Sequence, residues 1–137
     1  MLTATAVALP LIHPQSFRAL DVWQRAMDLV DEAYACTRGL PRSEFDLHRQ
    51  IRKAAVSIPS NIAEGHRRGR RLAYQNHVSI ALGSTAELET EIEIALRNGL
   101  LEATKCEAAI ALSDRVSAML FRLHDSLEID RDRHGRP

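Results

Sequence analysis

Four stretches of the chain carry apolar residues at alternating spacings of three and four, which is the period of an amphipathic α-helix. The first stretch repeats this spacing from residue 20 to residue 34, in a stripe formed by Leu20, Trp23, Met27, Val30 and Tyr34. Gly39 and Pro41 follow it, and these residue types end helices. The pattern therefore predicts a first helix that buries this stripe.

A second helix is predicted to begin near Ser43 or Asp46 and to end at Gly65. Its stripe is formed by Leu47, Ile51, Ala54 or Ala55, Ile58 and Ile62. Pro59 removes one backbone hydrogen bond and crowds the carbonyl four residues earlier, so we predict a kink there. The apolar spacing stays in register across Pro59, which indicates that the helix resumes.

Two further helices are predicted over about residues 72–98 and 102–129, separated by the stop signal Asn98-Gly99. The third stripe is Tyr74, Val78, Ala81, Thr85, Leu88, Ile92 and Ala95, with Leu82 and Leu96 at its margins. The fourth stripe is Cys106, Ala109, Ser113, Val116, Leu120, Leu123 and Leu127.

Short connections between long amphipathic helices favour neighbours that run in opposite directions, and no stretch has the strict alternation of a half-buried strand. We therefore predict an all-α fold, an antiparallel up-down-up-down four-helix bundle over residues 17–130. Residues 1–16 are predicted to be a disordered segment or extension, and residues 131–137 a solvated tail. A chain of 137 residues suits one such domain.

The amino-acid composition gives few indications of function. Eighteen basic residues balance eighteen acidic ones, so the net charge favours neither a polyanion nor a membrane surface. Cys36 and Cys106 lie in helical patterns without metal-ligand spacing, which predicts buried free thiols in a reducing compartment. The apolar first sixteen residues lack the Lys or Arg of a signal peptide, and no stretch is long enough to span a membrane. We expect a cytoplasmic protein with no membrane partner.

Signals for catalysis or metal binding are missing from the sequence. A di-iron bundle needs Glu-x-x-His motifs, and none occurs here. The six histidines are scattered, no Ser or Cys has an evident base beside it, and Gly65 and Gly69 do not form a phosphate loop. We expect no enzymatic activity, no metal and no cofactor.

The densest charge lies in HRRGRR, residues 66–71, which we call the basic segment. Residues 41–71 hold eight basic and three acidic side chains, a local net charge of +5. Such a stretch could neutralise nucleic-acid phosphates. The candidate phosphate-binding residues are Arg49, Arg52, Lys53, Arg67, Arg68, Arg70 and Arg71.

An alternative partner for these arginines is a run of carboxylates on the third helix, Glu87, Glu89, Glu91 and Glu93. Complementary blocks on one chain suit pairing within the chain or a head-to-tail contact between copies that closes into a ring. Gly83 is costly inside a helix and indicates close approach of another helix. Glu87 and Glu91, one turn apart, could instead act as metal ligands or an acid/base pair.

Three stretches resemble the four-helix-bundle family named for intervening sequences in bacterial 23S ribosomal RNA genes. They are FRALDVWQRAMDLV (17–30), QIRKAAVSIPSNIAEGHRRG (50–69) and IALGSTAELETEIEIALRNGLL (80–101). The resemblance implies a homopentameric ring. It also implies similarity to the accessory variability proteins of diversity-generating retroelements, whose basic barrel binds nucleic acid and a reverse transcriptase. The neutral charge of this chain departs from that basic barrel, and residues 1–16 precede the resemblance, as an extension or a misplaced translation start.

Eight residues fall on the two motifs, and three of them, Ser57, Asn61 and Glu64, recur every three to four positions and so share one face of helix two. The eight residues are Ser57, Asn61, Glu64 and Gly65 in the first motif and Gly83, Ser84, Glu87 and Glu91 in the second. We predict a polar layer or interface that sets the register between helices two and three, with a ligand site as the alternative. The leading functional hypothesis is a homo-oligomer that scaffolds or binds RNA or DNA. The alternative is a structural interaction module whose Arg and Glu blocks pair between subunits.

Overall fold

The computed structural model describes the backbone of residues 16–134 and the side chains of residues 16–128. After a short 3-10 turn at Phe17–Ala19, the helices are α1 (Asp21–Thr37), α2 (Phe45–Arg67), α3 (Arg71–Arg97) and α4 (Ala103–His134), with a second 3-10 turn at Arg42–Glu44 before α2. Over this part of the chain there is no strand, which confirms the all-α, four-helix prediction. The predictions for residues 1–15 and 135–137 lie outside the described residues.

All four helices contribute to one aliphatic core. Its largest fully buried side chains are Leu29, Ile51, Ile58, Ile62, Val78, Leu88, Ile92, Val116 and Leu120. The predicted stripes of α2, α3 and α4 are confirmed at their centres, while Leu47, Tyr74, Leu123 and Leu127 are only partly buried at the ends. The helix α4 continues to His134, beyond the predicted helix end at about residue 129.

The predicted stripe of α1 was wrong by one position. The buried residues of this helix are Val22, Ala26, Leu29, Ala33, Cys36 and Thr37. Trp23 and Val30 flank that face, and Met27 is 39% exposed. Two adjacent stripes of α1 both carry apolar residues at spacings of three and four. The one with alanines lies inside, because small side chains let helices pack closely.

The helix α2 continues through Pro59, as predicted, and ends at Arg67, two residues beyond the predicted stop at Gly65. Gly65 is buried where α2 meets α3. A Cβ atom at this position would lie 2.6 Å from the Cβ of His77 and 3.1 Å from the ring of Tyr74. Gly65 therefore permits the close approach of these two helices.

The two cysteines are buried free thiols, as predicted. Cys36 of α1 and Cys106 of α4 interact with each other in the core, and the Cys36 thiol donates to the Ala33 carbonyl at 3.4 Å. Burial, and then the neighbouring Cys106, raise the pKa of Cys36 to about 12. Burial also raises the pKa of Cys106. In the described part of the chain, no helix is both long and apolar enough to cross a membrane.

Candidate functional site

A chain of side-chain hydrogen bonds joins α2 to α3, and we call it the α2–α3 polar layer. The hydroxyls of Ser57 and Ser84 lie 2.8 Å apart across the two helices. The Asn61 amide donates to the Ser57 hydroxyl at 3.0 Å, and its carbonyl oxygen lies 3.0 Å from Nδ1 of His77. The structure thus brings together three of the motif residues and adds His77, which the sequence did not single out.

Glu64 connects this layer to the basic segment. Its carboxylate accepts a hydrogen bond from Arg68 at 2.8 Å and lies 3.9 Å from Nε2 of His77. The hydrogen bond from Arg68, followed by the charge of His77, lowers the pKa of Glu64. Gly65 is the next residue, and its missing side chain makes room for His77. The first family motif therefore ends in a continuous polar path to Arg68.

The basic segment spans the end of α2, a left-handed turn at Gly69 (φ 68°) and the start of α3. The guanidinium of Arg67 lies 5.3 Å from the ring centroid of Phe17, and Arg70 precedes α3 without a side-chain cap. An open cavity of about 490 Å³ lies beside this turn, lined by Gly65, His66, Gly69, Arg70, Arg71, Tyr74 and Leu127. Arg70 and Arg71 of this lining are exposed, as are Arg67 and Arg68 at the end of α2.

Tyr74 lies at the base of this cavity. The ring of His66 meets it edge-on, with ring centroids 5.7 Å apart. The Tyr74 hydroxyl is buried and has no hydrogen-bond partner, and burial raises the pKa of this tyrosine. The lining of the cavity therefore combines two exposed arginines with the aromatic rings of His66 and Tyr74.

The other predicted phosphate-binding residues lie elsewhere. Fifteen residues of helix separate Arg52 from Arg67, a distance of about 22 Å along α2. Arg52 stacks over the ring of Tyr34 at 4.2 Å and donates to the Thr37 hydroxyl at 3.2 Å. These contacts join α2 to α1, and phosphate binding by Arg52 stays a prediction. Arg49 is exposed and pairs with Asp46 at 3.5 Å, and Lys53 is exposed.

The glutamates of α3 have four different environments. Glu89 accepts a hydrogen bond from the buried Ser113 of α4 at 2.7 Å, and Glu93 pairs with Arg97 at 2.8 Å. Glu87 is exposed. One carboxylate oxygen of Glu91 is buried without a hydrogen-bond partner, and burial, followed by the charge of Glu87, raises the pKa of Glu91.

These glutamates do not pair with the basic segment of their own chain. Sixteen helical residues, about 24 Å, separate Glu87 from Arg71. The prediction that Gly83 lies close to another helix was also wrong within the chain. A Cβ at Gly83 would have nothing within 4 Å, and the residue faces outward.

The contact between α3 and α4 also contains polar side chains, at positions that the apolar stripes had marked as core. The Ser117 hydroxyl donates to Thr85 at 3.0 Å, beside the bond between Ser113 and Glu89. These two bonds give hydrogen-bond partners to the buried hydroxyls of Thr85 and Ser113.

One group of side chains could hold a metal ion, although the sequence predicted none. His124 and Glu128 are one helical turn apart on α4, and Asp125 lies beside them, with their ligand atoms all within 4.8 Å of one another. A Glu-x-x-His motif does not describe this group, because His124 precedes Glu128 by four residues. Asp125 and Glu128 are exposed, and His124 is partly buried.

Comparison with known proteins gives one family. The model of the family described as 23S rRNA-intervening sequence protein matches residues 18–122. This range contains α1, α2, α3, the polar layer, the basic segment and most of α4. No curated protein matches the chain.

Proposed function

The chain belongs to the 23S rRNA-intervening sequence protein family, and from that premise we propose a non-enzymatic, homo-oligomeric bundle that binds RNA or DNA through the basic segment. In this proposal the helices run antiparallel, the oligomer is a pentameric ring and the protein works in the cytoplasm. The supporting observation is the exposure of four arginines on one short connection of an otherwise neutral chain.

The position of the basic segment suits phosphate groups for a second reason. Arg70 and Arg71 lie at the start of a 27-residue helix, and the first turn of a helix presents free N–H groups and the positive end of its dipole. Gly69 has no side chain to cover the turn. Phosphates of a nucleic acid could therefore bind guanidinium and backbone donors at one place. Such contacts do not distinguish one base sequence from another.

Replacing both Arg68 and Arg70 by alanine is expected to weaken nucleic-acid binding by about tenfold or more at low salt. It should also reduce the slope of log K against log salt concentration by about 2, since each lost phosphate contact contributes about 0.9. Fluorescence anisotropy with a labelled structured RNA and a labelled DNA duplex measures both quantities. The matched control replaces Arg115 and Arg122, exposed on α4, by alanine.

The control removes the same charge from a different face, so its affinity should stay close to that of the unmodified protein. If both pairs of substitutions weakened nucleic-acid binding equally, the total charge of the protein alone would account for the attraction. That result would contradict a site at residues 66–71. The absence of binding by the unmodified protein at micromolar concentration would contradict the proposal altogether.

A second candidate function is a purely structural module in which the arginines of one copy meet the glutamates of the next. The outward face of α3 supports it. Ile80 and Ile94 are 52% and 46% exposed, and Gly83 lies open between them. The unpartnered oxygen of Glu91 is one turn from Glu87. This face presents apolar side chains, room for a neighbouring helix and the carboxylates of Glu87 and Glu91.

This second candidate predicts that Glu87→Lys dissociates the oligomer, because the reversal places like charges opposite the neighbour's arginines. Size-exclusion chromatography with light scattering should then give a mass near 15.3 kDa, against about five times that mass for the unmodified ring. Glu107→Lys, an exposed glutamate of α4, is the matched control and should leave the mass unchanged.

An unchanged mass for Glu87→Lys would contradict charge pairing through α3. A monomeric unmodified protein would contradict every form of assembly proposed here. The anisotropy measurement does not depend on either result. The proposal of nucleic-acid binding and the proposal of assembly can therefore be contradicted independently.

A further inference from the structure

An apolar groove runs between α1 and α2 on the outside of the bundle. It has a volume of about 370 Å³ and is lined by Phe17, Trp23, Met27, Val30, Val56, Pro59, Ser60 and Ala63. Ser60 is its one polar residue. Met27 and Val56 are 39% and 41% exposed within it. Three residues of the α1 stripe that the sequence had predicted to be buried, Trp23, Met27 and Val30, line this groove.

We propose that this groove is the docking site for residues 6–12 of the same chain, AVALPLI. Residues 1–16 contain no Asp, Glu, Lys or Arg, and Val7, Leu9, Leu11 and Ile12 supply apolar side chains. The described chain begins at one end of the groove, because Phe17 lines it and its ring lies 5.3 Å from that of Trp23. An uncharged apolar segment therefore joins the bundle directly beside an uncharged apolar groove.

The segment is more than long enough to cover the groove. Trp23 and Val30 are seven residues apart, so the α1 side of the groove is about 10 Å long. Extended chain covers about 3.3 Å per residue, and three to four residues span that length. Pro10 and Pro14 fix their own φ angles and favour extended neighbours. Leu9, Leu11 and Ile12 are then within reach of Trp23 and Met27.

The groove of the same chain is favoured over that of a neighbouring copy because of the short tether. Only four residues, 13–16, separate Ile12 from Phe17. A link this short gives an effective concentration in the range of about 1 mM, far above a micromolar concentration of free protein. Docking within the chain then requires no second subunit.

Trp23 is the only tryptophan of the chain and lines the groove, so its fluorescence reports the occupant. In the Leu9→Asp/Leu11→Asp variant, acrylamide quenching of Trp23 should increase about twofold or more and its emission should shift to the red, as the half-buried indole becomes open to water. Thr3→Asp/Thr5→Asp adds the same charge outside residues 6–12 and should leave the quenching unchanged. Equal quenching in the unmodified protein and both variants would overturn the proposal.

A second experiment separates the same chain from a neighbour in the oligomer. The Leu9→Asp/Leu11→Asp chain, which retains Trp23, is co-assembled with a Trp23→Phe chain whose segment is intact. Docking within the chain predicts that Trp23 stays open to acrylamide. If quenching of Trp23 in the mixture fell to the level of the unmodified protein, docking within the chain would be overturned. The docked segment would then come from the neighbouring copy.

Discussion

Replacing Gly65 by valine is expected to lower the free energy of unfolding by about 3 kcal/mol, the upper range for overpacking a helix contact. The added Cβ would lie 2.6 Å from the Cβ of His77, an atom held by the α3 backbone, so relief requires α2 and α3 to separate. That separation also lengthens the bonds of the α2–α3 polar layer. Urea denaturation followed by circular dichroism measures the change. Gly65→Ala should destabilise less, because alanine gains about 1 kcal/mol in helix propensity over glycine.

Gly83 is the matched control because it is also helical, yet nothing lies within 4 Å of its added Cβ. Gly83→Ala should stabilise the isolated chain by about 1 kcal/mol, and Gly83→Val should change it little. Any contact of Gly83 with a neighbouring copy would appear as a dependence of the transition on protein concentration. If Gly65→Val and Gly83→Val destabilised the chain equally, close packing at Gly65 would not be the cause.

The variant Asn61→Leu is expected to cost about 2 kcal/mol, within the range for leaving buried polar partners unsatisfied. Asn61 is the centre of the polar layer, since it donates to Ser57 and meets His77 on the other helix. Leucine has a similar size but can replace neither bond. The measurement is again urea denaturation followed by circular dichroism.

Asn76→Leu provides the control, because Asn76 is exposed on α3 one position from His77. It should change stability by less than about 0.5 kcal/mol. The double variant Asn61→Leu/His77→Leu should recover part of the lost unfolding free energy. Removing both hydrogen-bonding partners costs less than leaving one of them without a partner. A loss in the double variant equal to the sum of the two single losses would contradict a direct bond between these side chains.

The sequence predicted the helices well where one stripe of apolar residues was available and poorly where there were two. In α2 the neighbours of Ile51, Ile58 and Ile62 are mainly polar, so the buried face could be assigned. In α1 the stripes through Ala26 and through Met27 have equal periodicity. The choice between them depends on how closely the partner helices approach, which the sequence of α1 alone does not contain.

The same reason explains which parts of the candidate site could be predicted. Ser57, Asn61 and Glu64 share a face of one helix, so their common orientation follows from spacing. The role of His77 depends on the register between two helices, which the contact at Gly65 determines. The contact of Arg52 with Tyr34 could not be predicted, because Tyr34 belongs to another helix. Local charge density cannot distinguish a free arginine from one stacked on a distant ring.

The buried pair Cys36 and Cys106 has a practical consequence for the native protein. A thiolate is the species that alkylating reagents attack, and both sulfurs are enclosed and have raised pKa values. Iodoacetamide can therefore modify them only in molecules whose α1 has moved away from α4. The alkylation rate, followed by mass spectrometry, would therefore report how often α1 and α4 separate. The measurement requires no introduced label.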